Sequence, residues 1–221
     1  IPNNDAIGLS YLLTSIGAMV ASIRYFKHLS WNKYTYFFMI PAVTITWLMR
    51  HTIVPYIETI LPSAMIDKIL IIFLSALMLI SAIAMGKHRE RTNRLKDHYY
   101  LTVILAMIYG SLVGSVGSGG GFLLIPTFRL LMGMHMTQAV ATSLSIIALT
   151  TLIGFEANEQ FLSHTSPQLI LFLFISSLSG ILVGLVIHDK CKRKHLEQIF
   201  IVSLVCTALS LLGSQLYPSL L

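Results

Sequence analysis

The chain has 221 residues, 55% of them hydrophobic and only 11% charged, with a mean hydropathy of +0.78. A soluble domain of this size carries about 25% charged residues, so a water-soluble enzyme or binding module is excluded. The net charge of +6 gathers in short loops beside apolar runs; topology and lipid headgroups account for it, and no nucleic-acid partner is implied.

A membrane span needs about 20 apolar residues. Suitable runs lie at 6–26, 35–56, 66–86, 138–156, 167–188 and 195–215. The composition therefore predicts an all-α, polytopic integral membrane protein, a single transmembrane domain over 1–221 in the inner cell membrane. Gly180 and Gly184 form a GxxxG pair in the 167–188 run, a spacing that lets helices approach closely. Arg50 and His51 follow Trp47 near the end of a run and read as interfacial anchors. Cys191 and Cys206 share neither a context for a disulfide nor a metal-ligand spacing, and His135, His164 and His188 are loop or boundary residues with no paired metal-ligand spacing. No metal, cofactor or catalytic residue is assigned.

The segment 98–133 is too long for one span. It carries Gly114, Gly117, Gly119, Gly120 and Gly121, five glycines within eight residues. Each Gly costs about 1 kcal/mol relative to Ala inside a helix, so the cluster predicts a broken helix. At membrane depth, lipid cannot satisfy the freed N–H and C=O groups, which must meet protein or line a cavity. Broken helices of this kind mark the binding sites of transporters. The N–H groups at Gly117, Gly119, Gly120 and Gly121, with a helix starting near Gly121, form a candidate anion site. Thr142 and Ser143 from the next helix, and Ser10 from a related position, are candidate hydroxyl donors; the alternative is that these hydroxyls bond carbonyls of their own helices. Arg129, roughly two turns past the break, either attracts the anion or snorkels to the interface.

A weak repeat relates the two halves. A shift of 133 residues places Ala6 on Ala139, Ser10 on Ser143 and Leu29-Ser30 on Leu162-Ser163. After a three-residue adjustment, Ile66-Asp67-Lys68-Ile69 falls on Leu196-Glu197-Gln198-Ile199. The expected organisation is a first repeat over 1–86, a basic cytoplasmic loop over 87–97, and a second repeat over 98–221 containing the glycine-broken hairpin. Lys and Arg mark loops 24–33, 87–97 and 189–195 as cytoplasmic, and place 57–65 and 156–165 on the other side. Every loop obeys that rule only if 98–133 enters the membrane and returns as a hairpin, which makes the repeats inverted. The partner of the glycine segment would precede Ile1, so the chain reads as N-terminally truncated. On that reading an open groove is expected beside Ser10 and the break, and poor transport by the chain alone.

The run Gly117-Ser118-Gly119-Gly120-Gly121-Phe122-Leu123-Leu124-Ile125-Pro126 resembles the glycine-rich motif, closed by an aliphatic-Pro pair, of the sulfite exporter TauE/SafE family. Ala139-Val140-Ala141-Thr142-Ser143-Leu144 is similar to that family's Ala-x-Gly-Thr-Ser-Leu element, with Ala141 in place of Gly, and Ala6-Ile7-Gly8-Leu9-Ser10-Tyr11 resembles a degenerate first copy. The resemblance implies an integral membrane permease of two tandem repeats and usually about eight helices, moving small sulfur-containing anions such as sulfite or sulfonates. It adds Pro126 to the candidate site. Two rival classes remain. Gly117-Ser118-Gly119 suggests an intramembrane serine protease of the rhomboid type, but Val116 breaks the Gly-x-Ser-Gly pattern and no later span holds a deep His as base. The other is a membrane assembly subunit that transports nothing.

Overall fold

The structure is a computed structural model that describes residues 3–29, 33–60, 63–87, 99–116, 120–156, 167–191 and 193–216. The basic loop 88–97, the loop 157–165, and Gly117 and Gly119 lie outside the described residues. The elements in order are α1 (Asn3–Arg24), α2 (Lys33–Leu48), α3 (Val54–Ile60), α4 (Ser63–Lys87), α5 (Tyr99–Val116), α6 (Gly121–Pro126), α7 (Met136–Glu156), α8 (Pro167–Lys190) and α9 (Arg193–Leu216). Seven helices among the described residues are long and apolar enough to cross a membrane, with Gly121–Leu130 as a shorter apolar helix. All six runs read from the sequence are present as spans, and the long glycine segment resolves into α5 and α6.

Two helices pass through a widened π-turn. One, Met49–Ile53, joins α2 to α3; the other, Thr127–Leu131, extends α6. A proline lies beside each, Pro55 after the first and Pro126 before the second. Proline has no N–H and its ring crowds the carbonyl four residues back, so a local change of pitch at these points has a direct cause.

Three close helix pairs organise the bundle: α1 with α7, α2 with α5, and α4 with α9. α1 and α7 are antiparallel. Ser22 Oγ lies 2.7 Å from Ser145 Oγ near one end, and the Tyr11 ring lies against Gly154 near the other. α2 and α5 run parallel: Ala42 and Ile45 face Gly110, while Thr46 and Met49 face Gly114. A Cβ on Gly110 would come within 2.5 Å of the Ala42 carbonyl oxygen, and one on Gly114 within 2.7 Å of the Met49 Cβ. Lipid tails are as apolar as Leu, so membrane helices associate through such close backbone approach rather than through expulsion of water. Thr46 adds a polar link, its Oγ1 donating to the Ala42 carbonyl at 2.8 Å and reaching the Gly110 carbonyl at 3.3 Å.

The main core lies where α1, α2, α5, α6 and α7 meet. Tyr11, Phe38, Tyr109, Leu124, Phe128 and Ile146 are fully or almost fully buried there. Phe38 contacts both Tyr109 and Phe128, with ring centroids 5.8 and 5.3 Å apart. A second cluster joins Leu74, Met78 and Ala82 of α4 to Leu204 and Ala208 of α9. Two small-residue expectations change. Gly114 is not part of the break: α5 continues through it to Val116, and the glycine serves the α2 contact. Gly180 and Gly184 pack against none of the described residues, since a Cβ on either would have no neighbour among them within 4 Å. α8 meets α1 through another face, where Gly17 abuts Ile181.

Candidate functional site

The helix break sits inside the bundle. α5 ends at Val116 and α6 begins at Gly121. Gly120, the residue that leads into α6, is buried and has φ 58° and ψ 14°. The left-handed region costs an L-residue roughly 1–2 kcal/mol. Space forbids a side chain as well: a Cβ on Gly120 would lie 2.7 Å from both Tyr109 Cε2 and Val113 Cγ2. Gly121 faces α7, and a Cβ there would lie 3.0 Å from Ile147 Cδ1. α6 then returns along the first half of α7, to which the short segment Met132–His135 connects it. Because Phe128 comes back to Phe38, beside the flank of α5, the α5–α6 unit is a hairpin.

The predicted site residues do not all converge. Gly120 and Gly121 form the break itself. Pro126 is buried at the end of α6, where Thr127 Oγ1 donates to the Leu123 carbonyl at 2.7 Å. Thr142 and Ser143 are fully buried on α7, about one turn from the Ile147 level that faces Gly121. The Ser143 hydroxyl donates to the Val140 carbonyl at 2.9 Å, so in this state it takes the helix-bonded alternative. Ser10 is half-buried at the opposite end of the antiparallel α1–α7 pair. Its level corresponds to α7 residue 155 or so, roughly 18 Å along the axis from Ser143. Arg129 lies roughly 12 Å along the helix from Gly121. Its Nη2 is 3.4 Å from Glu197 Oε2 in the second turn of α9, an ion pair that offsets its charge.

The structure adds residues to which the sequence reading gave no role at the break. The Tyr11 hydroxyl donates to the Val113 carbonyl at 2.6 Å, tying α1 to the last turn of α5 just before the break. The Tyr109 hydroxyl comes within 3.5 Å of Thr150 Oγ1 on α7. Arg50 sits on the π-turn that joins α2 to α3, next to the Met49 that covers Gly114. It is 6% exposed, and its charge is within electrostatic range of the Tyr11 hydroxyl. The interfacial reading fits Trp47 and His51, which are exposed and stacked with ring centroids 4.8 Å apart. It does not fit Arg50, which is buried away from that face. The signal in the sequence was an Arg seven residues short of the span's end at Ile57; proximity to Trp47 masked it.

A polytopic helical bundle with a broken helix packed into its interior defines a multi-pass membrane transporter fold. The sequence places the molecule further: residues 1–211 match the family described as sulfite exporter TauE/SafE, and the chain belongs to that family. A probable membrane transporter protein of Methanocaldococcus jannaschii is 27% identical over 204 residues, an alignment covering 87% of this chain and 73% of that protein. No solved structure matches. The protein is thus a membrane transporter and not an enzyme.

Proposed function

We propose that this transporter moves small sulfur-containing anions, such as sulfite or organosulfonates, across the inner cell membrane by alternating access, and that the anion is held at the α5–α6 break. The observation that carries this reading is the position of the break: a left-handed glycine buried between α5 and α7, at membrane depth, in a member of the sulfite exporter family. The first N–H groups of a helix have no carbonyl partner within it, and they carry the positive end of the helix dipole. In a helical run from Gly121 to Leu130, the N–H groups of Gly121 and Phe122 converge on the break, while that of Leu123 bonds the Gly120 carbonyl at 3.0 Å. Thr142 and Ser143 can turn their hydroxyls toward an arriving anion.

The halves 1–86 and 98–221 act as inverted repeats in this scheme, and the antiparallel α1–α7 pair agrees with it. Rocking of one half against the other exposes the break alternately to the two sides. Uptake of radiolabelled sulfite into proteoliposomes tests the proposal. Saturable uptake, however slow, that unlabelled methanesulfonate inhibits is expected; a non-transporting assembly subunit gives no uptake above protein-free vesicles.

A further inference from the structure

Arg50 has no role in the site as drawn above, yet its placement is costly. A guanidinium within a membrane span costs at least a few kcal/mol, and such residues are by default tied to a substrate or ion path. Snorkelling relieves that cost by exposing the head group. Arg50 does the opposite, since only 6% of it is exposed. It also stands on a π-turn, a distortion found disproportionately at functional sites, and this turn aims residue 50 inward while Trp47 and His51 keep the outer face. The residue before it, Met49, rests on Gly114, two residues before α5 ends. The residue within its electrostatic reach, Tyr11, holds the Val113 carbonyl, and Val113 in turn abuts Gly120. Tyr11, Val113 and Gly120 therefore form one contiguous group at the break, and Met49 on Gly114 places Arg50 at the same level.

We infer that Arg50 is the substrate-binding cation of this transporter, and that its planar fork selects oxyanions presenting two oxygens in one plane. The inference rests on the break being the anion site. A guanidinium donates two parallel N–H bonds to such a group, as it does to a carboxylate or phosphate. A sulfite, sulfonate or carboxylate meets the two bonds with two separate oxygens, and a halide ion, a single spherical acceptor, cannot keep them parallel. Arg129 cannot serve in this way, because it lies roughly 12 Å along the helix from Gly121, away from the break.

The test uses the full chain in proteoliposomes with radiolabelled sulfite, comparing wild type, Arg50→Gln, Arg50→Lys and Gly120→Val, with thermal unfolding of each in detergent. A charge-assisted hydrogen bond sets the scale, so Arg50→Gln should raise the half-saturation concentration about 10- to 100-fold without a matching loss of unfolding temperature. Methanesulfonate and acetate should compete with sulfite in the wild type and chloride should not. Arg50→Lys keeps the charge and loses the fork, so its preference for methanesulfonate over chloride should narrow. If Arg50→Gln transports with unchanged half-saturation while Gly120→Val does not transport, the role of Arg50 is refuted and the break remains the site. A lowered maximal rate and unfolding temperature with unchanged half-saturation assigns Arg50 to structure and likewise overturns the inference. If wild type moves no oxyanion, the inference and the reading beneath it both fail.

Discussion

Gly120 shows how one backbone angle places a site. Its φ of 58° and the 2.7 Å approach of Tyr109 and Val113 leave no room for any side chain. Gly120→Ala should lose roughly 1–2 kcal/mol from the left-handed conformation alone, read as a lower unfolding temperature in detergent. An unchanged temperature would mean that the break relaxes freely. Tyr11→Phe removes the 2.6 Å bond to the Val113 carbonyl. A cost of about 1 kcal/mol is expected, with slower transport at unchanged protein amount; an unaltered rate would detach Tyr11 from the break. At this scale the sequence was legible where chemistry is local. Five clustered glycines announce a break whatever surrounds them. It was not legible for Tyr11, Tyr109 and Arg50, whose meaning comes from contacts as far as 102 residues apart in the chain. An apolar run does not say which of its faces turns inward.

Helix packing separates two glycine pairs that look alike in sequence. Gly110 and Gly114 on α5 lie under the backbone of α2, and Gly180 and Gly184 on α8 face open space. Gly110→Leu should therefore destabilise the α2–α5 pair by about 1–3 kcal/mol through overpacking. Gly180→Leu should change stability by no more than about 0.5 kcal/mol. Chemical denaturation of the purified protein in detergent measures both, and equal effects would contradict the packing described here. The spans themselves were readable within a few residues, because hydropathy over about 20 residues is a strong signal. Glycine spacing was a weaker guide. It marks a helix surface that can be approached, and the helix that approaches is fixed by tertiary contacts. For the same reason Gly114 reads as part of the break in the sequence and belongs to a helix contact in the fold.

At the scale of the molecule, charge and geometry make the same statement. The parallel α2–α5 pair and the antiparallel α1–α7 pair bring the end of α1 and the starts of α2, α5 and α7 to one side. Loop 24–33 is at that side and is basic, as cytoplasmic loops are. In a background with Cys191 and Cys206 replaced, cysteines introduced at His28 and Lys192 should label from the cytoplasmic side and one at Glu159 from the other. Labelling of positions 159 and 192 from one side would break both the hairpin and the inverted arrangement. The central claim is that a backbone-lined break in the bundle interior holds the transported anion. Sulfite flux through wild type and Gly120→Val, reconstituted at equal amounts in the same vesicles, tests it most directly. Saturable flux in the wild type and none in the variant is the predicted result. Undiminished flux through Gly120→Val would contradict the claim.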